Sequence, residues 1–369
     1  MSDQRRGSPR SARSPRPGSS RASALASGRP SIRPSASSTG RSTGPSPTEP
    51  DSTDRSRAAT SFSALFRSRT PGTVGIRRPR CAAPCGQSGN VDNSDDHRNC
   101  AKERLVRPGI PAPAIAEAIT RLRAAGCVFA EEEAAVLSEA AGDEATLAAL
   151  VGRRALGEPL EQVVGYADFC GVRVRLRPGV FVPRVRSELL VRIATNTESE
   201  RPVVVDLCCG SGALGLAVRH RLPQAEVHAA DVDPVAVACA RDNLGGNVYQ
   251  GDLFEALPEG LRGRVTILLA NVPYVATAHI PLLPAEARDH EPHTALDGGT
   301  DGLDVFRRVA SGAPDWLAPG GILLSEITET QEDQAVQAVR LAGLDADVIY
   351  DDDLEARAIL GRKNVGGMR

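Results

Sequence analysis

The chain has 369 residues and a formal net charge of −2 at pH 7, and its length allows two or three domains. The charge is divided unevenly: residues 1–80 contain 16 Arg, no Lys and four acidic residues, a net +12, so the remaining residues carry −14. No apolar run is long enough to cross a bilayer or to form the core of a secretion signal, which argues against a membrane protein and a secreted disulfide scaffold.

Residues 1–105 form a leader rich in Arg, Ser and Pro, which we expect to be disordered because it contains few large apolar residues to offset its chain entropy. A mitochondrial transit peptide would have a similar composition. The basic leader is also the part of the chain for which contact with nucleic acid is conceivable, and elsewhere we expect none.

The chain contains eight cysteines. Spread along a long chain without a secretion signal, they indicate a reducing compartment, and we expect a cytoplasmic protein with no membrane contact. Four residues of zinc-ligand type cluster near the end of the leader, but their irregular spacing favours no metal site, and the question stays open there: Cys81, Cys85, His97 and Cys100.

The region 108–165 is predicted to be a small helical domain, with helices over 114–125, 131–141 and 144–156. The segment 166–183 is predicted to be a β-hairpin linker, with two strands on either side of the turn at 177–179. Three arginines alternate with apolar residues in this segment and are expected on its wet face: Arg173, Arg175 and Arg177.

Residues 184–365 alternate helix and strand. Helices are predicted over 187–195, 213–221, 234–244, 303–311 and 331–342, and strands over 203–207, 226–230, 248–250, 265–270, 322–326, 348–350 and 358–360. This order predicts an α/β fold in which helices cover both faces of a mostly parallel sheet.

A glycine-rich loop lies between a predicted strand and helix, where Gly210, Gly212 and Gly215 form G-x-G-x-x-G. Glycines allow a tight turn and close approach to a ligand, and helix N–H groups face that ligand. Asp231 ends the next strand, where an acid accepts the ribose hydroxyl protons of an adenosine cofactor. After the third strand, Asp252 and Leu253 fit the rim of an adenine slot, although a plain loop acid explains them equally well.

Asn271-Val272-Pro273-Tyr274 follows a strand at the carboxyl edge of the sheet, where ligands bind. An amide nitrogen is a poor nucleophile. Two acceptors, the Asn271 side-chain oxygen and the Val272 carbonyl, would grip both of its N–H bonds and aim it at a sulfonium methyl group. Pro273 restricts the loop and Tyr274 supplies an aromatic wall, so catalysis would rest on positioning.

This stretch resembles the [Asn/Asp]-Pro-Pro-Tyr motif of amino-group methyltransferases, and residues from about 110 to 363 resemble the HemK/PrmC protein-(glutamine-N(5)) methyltransferases, which modify release factors. Besides the glycine loop, Asp231 and the Asn271 motif, the matches are Gly157-Glu158-Pro159 with Gly165 and Phe169, Phe181 to Glu188, Glu291-Pro292 with Ala295-Leu296, Gly320-Gly321 with Glu326, and Leu360-Gly361-Arg362. Departures from the family pattern indicate a divergent branch: Val272, Cys208, Val185, Arg186 and Ser187.

The resemblance implies a seven-stranded Rossmann-like class I methyltransferase sheet, S-adenosylmethionine as cofactor, and a protein substrate that carries the target glutamine, such as a peptide-chain release factor. We expect a monomer. The implied catalytic residues are Asn271, Val272, Pro273 and Tyr274. The implied cofactor residues are Asp206, Cys208, Gly210, Gly212, Asp231, Asp252, Leu253 and Asn271. The implied substrate-side residues are Phe181, Arg184 and Glu188, with no metal.

Three alternatives remain at this point. A methyltransferase acting on a base exocyclic amine would share the four-residue motif, but its body should be basic. An NAD-dependent dehydrogenase would explain the glycine loop and leave the Asn271 motif without a role. A catalytically silent protein would bind cofactor but lack a working clamp because of Val272.

Two smaller groups, three histidines and two cysteines, also have candidate roles. His279, His290 and His293 are expected to be loop residues that shape the substrate channel, since no compact metal-ligand spacing is present. Cys208 and Cys209 lie near a helix N-terminus, which would lower the pKa of a thiol, although small residues beside a close cofactor explain them better.

Overall fold

The computed structural model describes residues 109–365. The predictions made for the leader, including the candidate zinc ligands Cys81, Cys85, His97 and Cys100, lie outside these residues. Within them, no helix is long and apolar enough to cross a membrane.

Residues 112–164 contain four helices joined by short connections. These are α1 (Ala112–Ala124), α2 (Ala130–Ala140), α3 (Glu144–Ala155) and the short α4 (Leu160–Val164). Asp143 is the N-cap of helix α3; its carboxylate accepts a hydrogen bond from the Thr146 N–H at 2.7 Å and so satisfies one free donor of the first turn. Apolar residues of all four helices, among them Leu122, Leu137 and Leu147, form one buried cluster. The three predicted helices are confirmed.

A two-stranded antiparallel hairpin follows, formed by β1 (Tyr166–Phe169) and β2 (Val172–Arg175). Cys170 and Gly171 connect the strands with φ values of 50° and 85°. Two consecutive positive φ values are typical of the type I′ turn that suits strand twist, but Cys-Gly is not among the usual sequence signals for it.

The predicted hairpin turn at 177–179 is therefore wrong. The Val180 N–H donates to the Arg177 carbonyl at 3.2 Å, which makes a local turn, but no strand follows it. The wet face is confirmed, because Arg173, Arg175 and Arg177 are exposed.

The central sheet has seven strands in the order β5-β4-β3-β6-β7-β9-β8. Their bounds are β3 (Val203–Leu207), β4 (Glu226–Asp231), β5 (Val248–Gln250), β6 (Val265–Ala270), β7 (Leu317–Glu326), β8 (Asp345–Asp351) and β9 (Ala356–Arg362). Strands β3 to β7 pair in parallel, and β9 runs antiparallel to both of its neighbours. The predicted α/β fold with a Rossmann-like seven-stranded sheet is confirmed.

Helices cover both faces of this sheet. The helices after the hairpin are α5 (Glu188–Ala194), α6 (Ala213–Arg221), α7 (Pro234–Leu244), α8 (Ala285–His290), α9 (His293–Leu296), α10 (Asp304–Trp316) and α11 (Glu332–Leu341). Of these, α8 and α9 pack with Tyr274 and Val275 rather than with the sheet. Helices α10 and α11 pack with one face of β3 and β6, and α5 and α6 pack with the other. Burial on both faces explains why these strands are continuously apolar rather than alternating.

The strand order reverses beside β3. The chain moves from β3 outwards to β4 and β5, and returns on the other side of β3 as β6. In open α/β sheets the loops diverge at such a point and leave a crevice at the carboxyl ends of the strands. Leu207 and Ala270 are paired at the ends of β3 and β6, so Cys208 and Asn271 leave the sheet side by side.

Candidate active site

A cavity of 340 Å³ lies at this crevice. Its size is within the range of small-molecule binding sites. Its walls include Phe181, Asp206, Cys208, Gly210, Asp231, Asp252, Leu253, Asn271, Val272, Pro273 and Tyr274. The structure therefore brings together most of the residues that the sequence indicated. It leaves Gly212, Arg184 and Glu188 off the wall.

Gly212 acts behind the loop rather than on the cavity. It is the N-cap of α6 with φ +74°, and a Cβ built there would lie 2.8 Å from Leu244 Cδ1. Both the backbone conformation and the packing of α6 against α7 therefore require glycine at this position.

Cys208 also has a conformation that favours glycine. Its φ is 53°, in the left-handed region that costs a non-glycine residue about 1–2 kcal/mol. Burial raises the thiol pKa values of Cys208 and Cys209. Burial therefore outweighs any lowering by the helix N-terminus, and the thiols are protonated rather than activated.

Asp206 lies at the floor of the glycine loop and is 1% exposed. Its Oδ2 accepts a hydrogen bond from the Gly215 N–H at 2.9 Å, whereas its buried Oδ1 has no partner. Burial raises the pKa of the carboxyl to about 7. A buried acceptor without a donor favours a ligand that brings a donor or a positive charge.

Asp231 connects the glycine loop to β4. Its Oδ2 accepts from the Gly210 N–H at 2.8 Å and its Oδ1 accepts from the Asp233 N–H at 2.9 Å. Burial raises the pKa of this carboxyl. Each carboxylate oxygen can accept more than one hydrogen bond, so these contacts orient Asp231 while leaving capacity for a ligand on the cavity side.

The other end of the cavity is partly exposed. Asp252 Oδ2 forms a salt bridge of 2.7 Å with Arg308 of α10, and both residues line the cavity. Leu253 has φ 50° and is 9% exposed, so the turn after Asp252 directs an apolar side chain inwards. Arg308 was not predicted as a site residue, because a lone arginine on an amphipathic helix carries no local sequence signal.

Asn271 has a defined orientation. Its Nδ2 donates a hydrogen bond to Ser187 Oγ at 3.2 Å, and its buried Oδ1 has no partner. The next carbonyl, that of Val272, accepts no hydrogen bond from the described residues. Two neighbouring acceptors without donors therefore stand at the wall of the cavity.

Tyr274 closes the same wall and is 8% exposed. Its hydroxyl accepts from the Arg186 guanidinium and donates to Glu326 Oε1 at 3.3 Å. Burial raises the pKa of the phenol, so Tyr274 stays neutral. The ring is thus anchored at its polar end and presents an apolar surface to the cavity.

Arg184 and Glu291 form a buried ion pair that joins the segment 181–188 to the loop between α8 and α9. Arg184 Nη2 lies 2.6 Å from both carboxylate oxygens of Glu291, and the Arg184 guanidinium lies 4.9 Å from the centre of the Phe181 ring. Burial raises the pKa of Glu291. Phe181 reaches the wall, whereas Arg184 lies under it and Glu188 begins α5.

The three histidines do not shape this cavity. His279, His290 and His293 are absent from its wall, and His279 instead lines a second cavity that shares Tyr274 and Val275 with the first. His293 lies 3.8 Å from Asp297, and His290 lies close to Gly157. Among residues 109–365, no three His, Cys, Asp or Glu side chains are grouped so as to hold a metal ion.

The amino-acid sequence of this chain is similar to those of known methyltransferases. Residues 171–282 match the family model "Methyltransferase small domain". The chain is 34% identical over 271 residues to a release factor glutamine methyltransferase of Bifidobacterium longum, covering 67% of this chain and 92% of that protein. It is 34% identical over 273 residues to a protein of the same name from Deinococcus radiodurans, covering 72% of this chain and 97% of that protein.

A shorter and more similar alignment is found with the release factor glutamine methyltransferase of Geobacter sulfurreducens. It has 38% identity over 183 residues and spans 48% of this chain and 63% of that relative. A solved protein-(glutamine-N5) methyltransferase of Alicyclobacillus acidocaldarius aligns with a TM-score of 0.31 and 22% identity over 50% of this chain and 94% of that one. A TM-score this low carries no weight beside the sequence matches.

Proposed function

The chain belongs to the release factor glutamine methyltransferase family, and we propose that it transfers a methyl group from S-adenosylmethionine to the side-chain amide nitrogen of a glutamine in a protein, with a peptide-chain release factor as the substrate.

One observation carries this proposal: the buried Asn271 Oδ1 has no donor, and the Val272 carbonyl beside it is also free of hydrogen bonds from the described residues. A primary amide presents two N–H donors and no positive charge, so it matches two neighbouring acceptors in a buried wall. Leaving either acceptor unpaired would cost about 1–3 kcal/mol. This requirement favours a target –NH2 group that satisfies both.

The cofactor end of the cavity also suits S-adenosylmethionine. Asp206 offers a buried carboxylate oxygen without a partner, which fits the positive charge of the methionine part. Asp231 would accept the ribose hydroxyls, and Asp252 with Leu253 would border the adenine. S-adenosylmethionine supplies, when bound, an electrophilic methyl group on a positively charged sulfur.

The residues of this chain act by positioning. Asn271 and Val272 hold the two amide N–H bonds, which turns the nitrogen lone pair towards the cofactor side of the cavity. Tyr274 supports the planar amide, and burial removes competing water. No base is needed before transfer, because the nitrogen loses its extra proton only after the new N–C bond has formed.

Charge favours a protein substrate over a nucleic acid. Residues 81–369 carry a net charge of −14, whereas a nucleic-acid surface should be basic to neutralise phosphates. The exposed Arg308 at the cavity is paired with Asp252 and is not available as a phosphate contact in this structure.

The test is transfer from tritiated S-adenosylmethionine to a purified bacterial peptide-chain release factor, followed by mass spectrometry of the labelled peptide. We expect one methylated glutamine, and we expect Asn271→Ala to abolish transfer while calorimetric cofactor affinity stays within about threefold, or ~0.7 kcal/mol. Asn196→Ala, an exposed asparagine outside the cavity, is the matched control.

Each contrary outcome identifies an alternative. Label on nucleic acid in a lysate, with none on protein, would identify the base methyltransferase. Tight cofactor binding with no transfer to any substrate would identify the silent protein.

A further inference from the structure

A chain of buried hydrogen bonds runs behind the clamp. Ser187 Oγ donates to Glu326 Oε2 at 2.7 Å and accepts from Asn271 Nδ2 at 3.2 Å. The other oxygen of Glu326 accepts from Arg186 and from the Tyr274 hydroxyl. Exposure is 2% for Ser187, 4% for Glu326 and 7% for Arg186, so water does not compete with these contacts.

We propose that Ser187 and Glu326 are positioning residues that determine which end of the Asn271 amide faces the cavity. The proposal rests on the clamp function assigned to Asn271 above, and it adds two residues that act through Asn271: Glu326, which lies off the cavity wall, and Ser187, which reaches it.

The number of available protons determines the orientation of the Asn271 amide. A carboxylate has acceptors only, so Glu326 takes the single hydroxyl proton of Ser187. The Ser187 oxygen then has only lone pairs left, and it must face a donor. Of the two ends of the Asn271 amide only the –NH2 end is a donor, so Oδ1 is turned away from Ser187 and remains open.

Arg186 and Tyr274 fix the direction of the hydrogen bonds between Glu326 and Asn271. Arg186 forms a salt bridge with Glu326, and a guanidinium can only donate to it. The Tyr274 hydroxyl donates to the same oxygen, so every contact of the carboxylate is one that it accepts. The order of donors and acceptors from Glu326 to Asn271 therefore has one consistent solution.

The orientation matters because the target is a donor. With the amide reversed, the Asn271 –NH2 would face the target –NH2, and two donors would meet without an acceptor between them. The reversed form therefore cannot hold the nitrogen for transfer, although the side-chain shape is nearly unchanged.

A double-mutant cycle tests this direction of the hydrogen bonds; it compares the natural protein with Glu326→Gln, Asn271→Asp and the double variant. In Glu326→Gln, the new amide keeps its oxygen towards Arg186 and Tyr274 and donates from its nitrogen to Ser187 Oγ. The Ser187 proton must then point to Asn271 and reverse its amide. We expect kcat with the release factor to fall about 100-fold, as after loss of one polar group that stabilises a transition state. Cofactor affinity should stay within about threefold.

The second arm restores an open acceptor at position 271 by reversing both hydrogen bonds of Ser187. In Asn271→Asp, two carboxylates compete for the one Ser187 proton, so activity should be low. In Asn271→Asp combined with Glu326→Gln, Ser187 accepts from Gln and donates to Asp, and the second Asp oxygen is free for the target. The double variant has the same net charge as the natural protein and should exceed both single variants by about tenfold in kcat.

The control variant is Ser187→Ala, which removes the connection between the two ends. In that background Glu326→Gln should lose the part of its effect that passes through Asn271, so its fold-change in kcat should be smaller than in the presence of Ser187. Ser187→Thr keeps the hydroxyl and should recover most of the kcat that Ser187→Ala loses. A double variant no better than its single variants, or an equal effect of Glu326→Gln with and without Ser187, would overturn the proposal.

A readout that needs no substrate separates this proposal from the proposed function. Proton–nitrogen NMR of the full chain shows the Asn271 side-chain amide, identified by its loss in Asn271→Asp. We expect protection of this amide from exchange with water in the natural protein and faster exchange in Glu326→Gln. If the protein shows this exchange pattern but methylates no glutamine, the proposed function is refuted and the positioning role of Ser187 and Glu326 stands. If exchange is unchanged in Glu326→Gln, that positioning role is refuted.

Discussion

The buried carboxyl of Asp206 should make the stability of the protein fall as pH rises. Its pKa is raised from 3.8 to about 7 in the folded chain because burial disfavours the charged form. A group with a raised folded-state pKa contributes stability that is fully present below the unfolded pKa and is lost as pH rises through the folded pKa. The affected window therefore extends from about pH 4 to pH 7.

The magnitude follows from the shift. A shift of about three pKa units, at about 1.4 kcal/mol per unit, corresponds to ~4 kcal/mol across the whole window. Between about pH 5 and pH 8, the part that remains is ~3 kcal/mol. Asp206→Asn is nearly isosteric and cannot ionise, so it should remove this dependence. Its oxygen can still accept from the Gly215 N–H.

The assay is urea unfolding of the protein without cofactor at several pH values. The free energy of unfolding of Asp206→Asn, relative to the natural protein, should rise by ~3 kcal/mol between about pH 5 and pH 8. Any constant offset from altered hydrogen bonding leaves this slope unchanged. Asp347→Asn, at an exposed position on the edge strand β8, is the control and should show no such slope. Parallel pH curves for Asp206→Asn and the natural protein would refute the reasoning.

Three further substitutions test individual wall residues. Asp231→Ala removes the acceptor of two backbone N–H groups and the acceptor that we propose for the ribose, so calorimetry should show S-adenosylmethionine binding weaker by ~1–3 kcal/mol. Unchanged affinity would mean that the cofactor site is misplaced. Val272→Pro should change the single-turnover methylation rate by less than about tenfold, or ~1.4 kcal/mol, because the Val272 N–H donates no hydrogen bond to the described residues. An inactive natural protein that proline activates would contradict this. Cys208→Gly relieves the positive φ of 53° but adds backbone entropy to the unfolded chain, so the free energy of unfolding should change by less than ~1 kcal/mol. A loss of several kcal/mol would show that thiol packing dominates.

The parallel sheet was predictable from the sequence because its signals are local. Val248–Gln250 and Val265–Ala270 occupy the predicted bounds, since short apolar runs between turn residues mark buried strands. The glycine loop and the Asn271 motif were visible for a related reason: turn geometry and close approach select residue types at fixed spacing. The order of these motifs along the chain then placed them at one edge of the sheet.

Local pattern misled where a turn had an unusual composition. The hairpin turns at Cys170-Gly171 and not at Arg177-Pro178-Gly179. Pairing between β1 and β2 stabilises this turn, although Cys-Gly is not a typical turn sequence. Only the strand pairing decides between two such candidates.

The tertiary structure alone decided which side chains hold the site residues in place. Ser187 and Glu326 are 139 positions apart, and Arg308 and Asp252 are 56 apart. Sequence spacing contains no information on such pairs, because they meet only after β3, β6 and β7 are set side by side and their carboxyl ends converge. The sequence by itself therefore indicated which atoms would face a substrate, whereas the direction of the hydrogen bonds that orient Asn271 depends on segments that folding brings together.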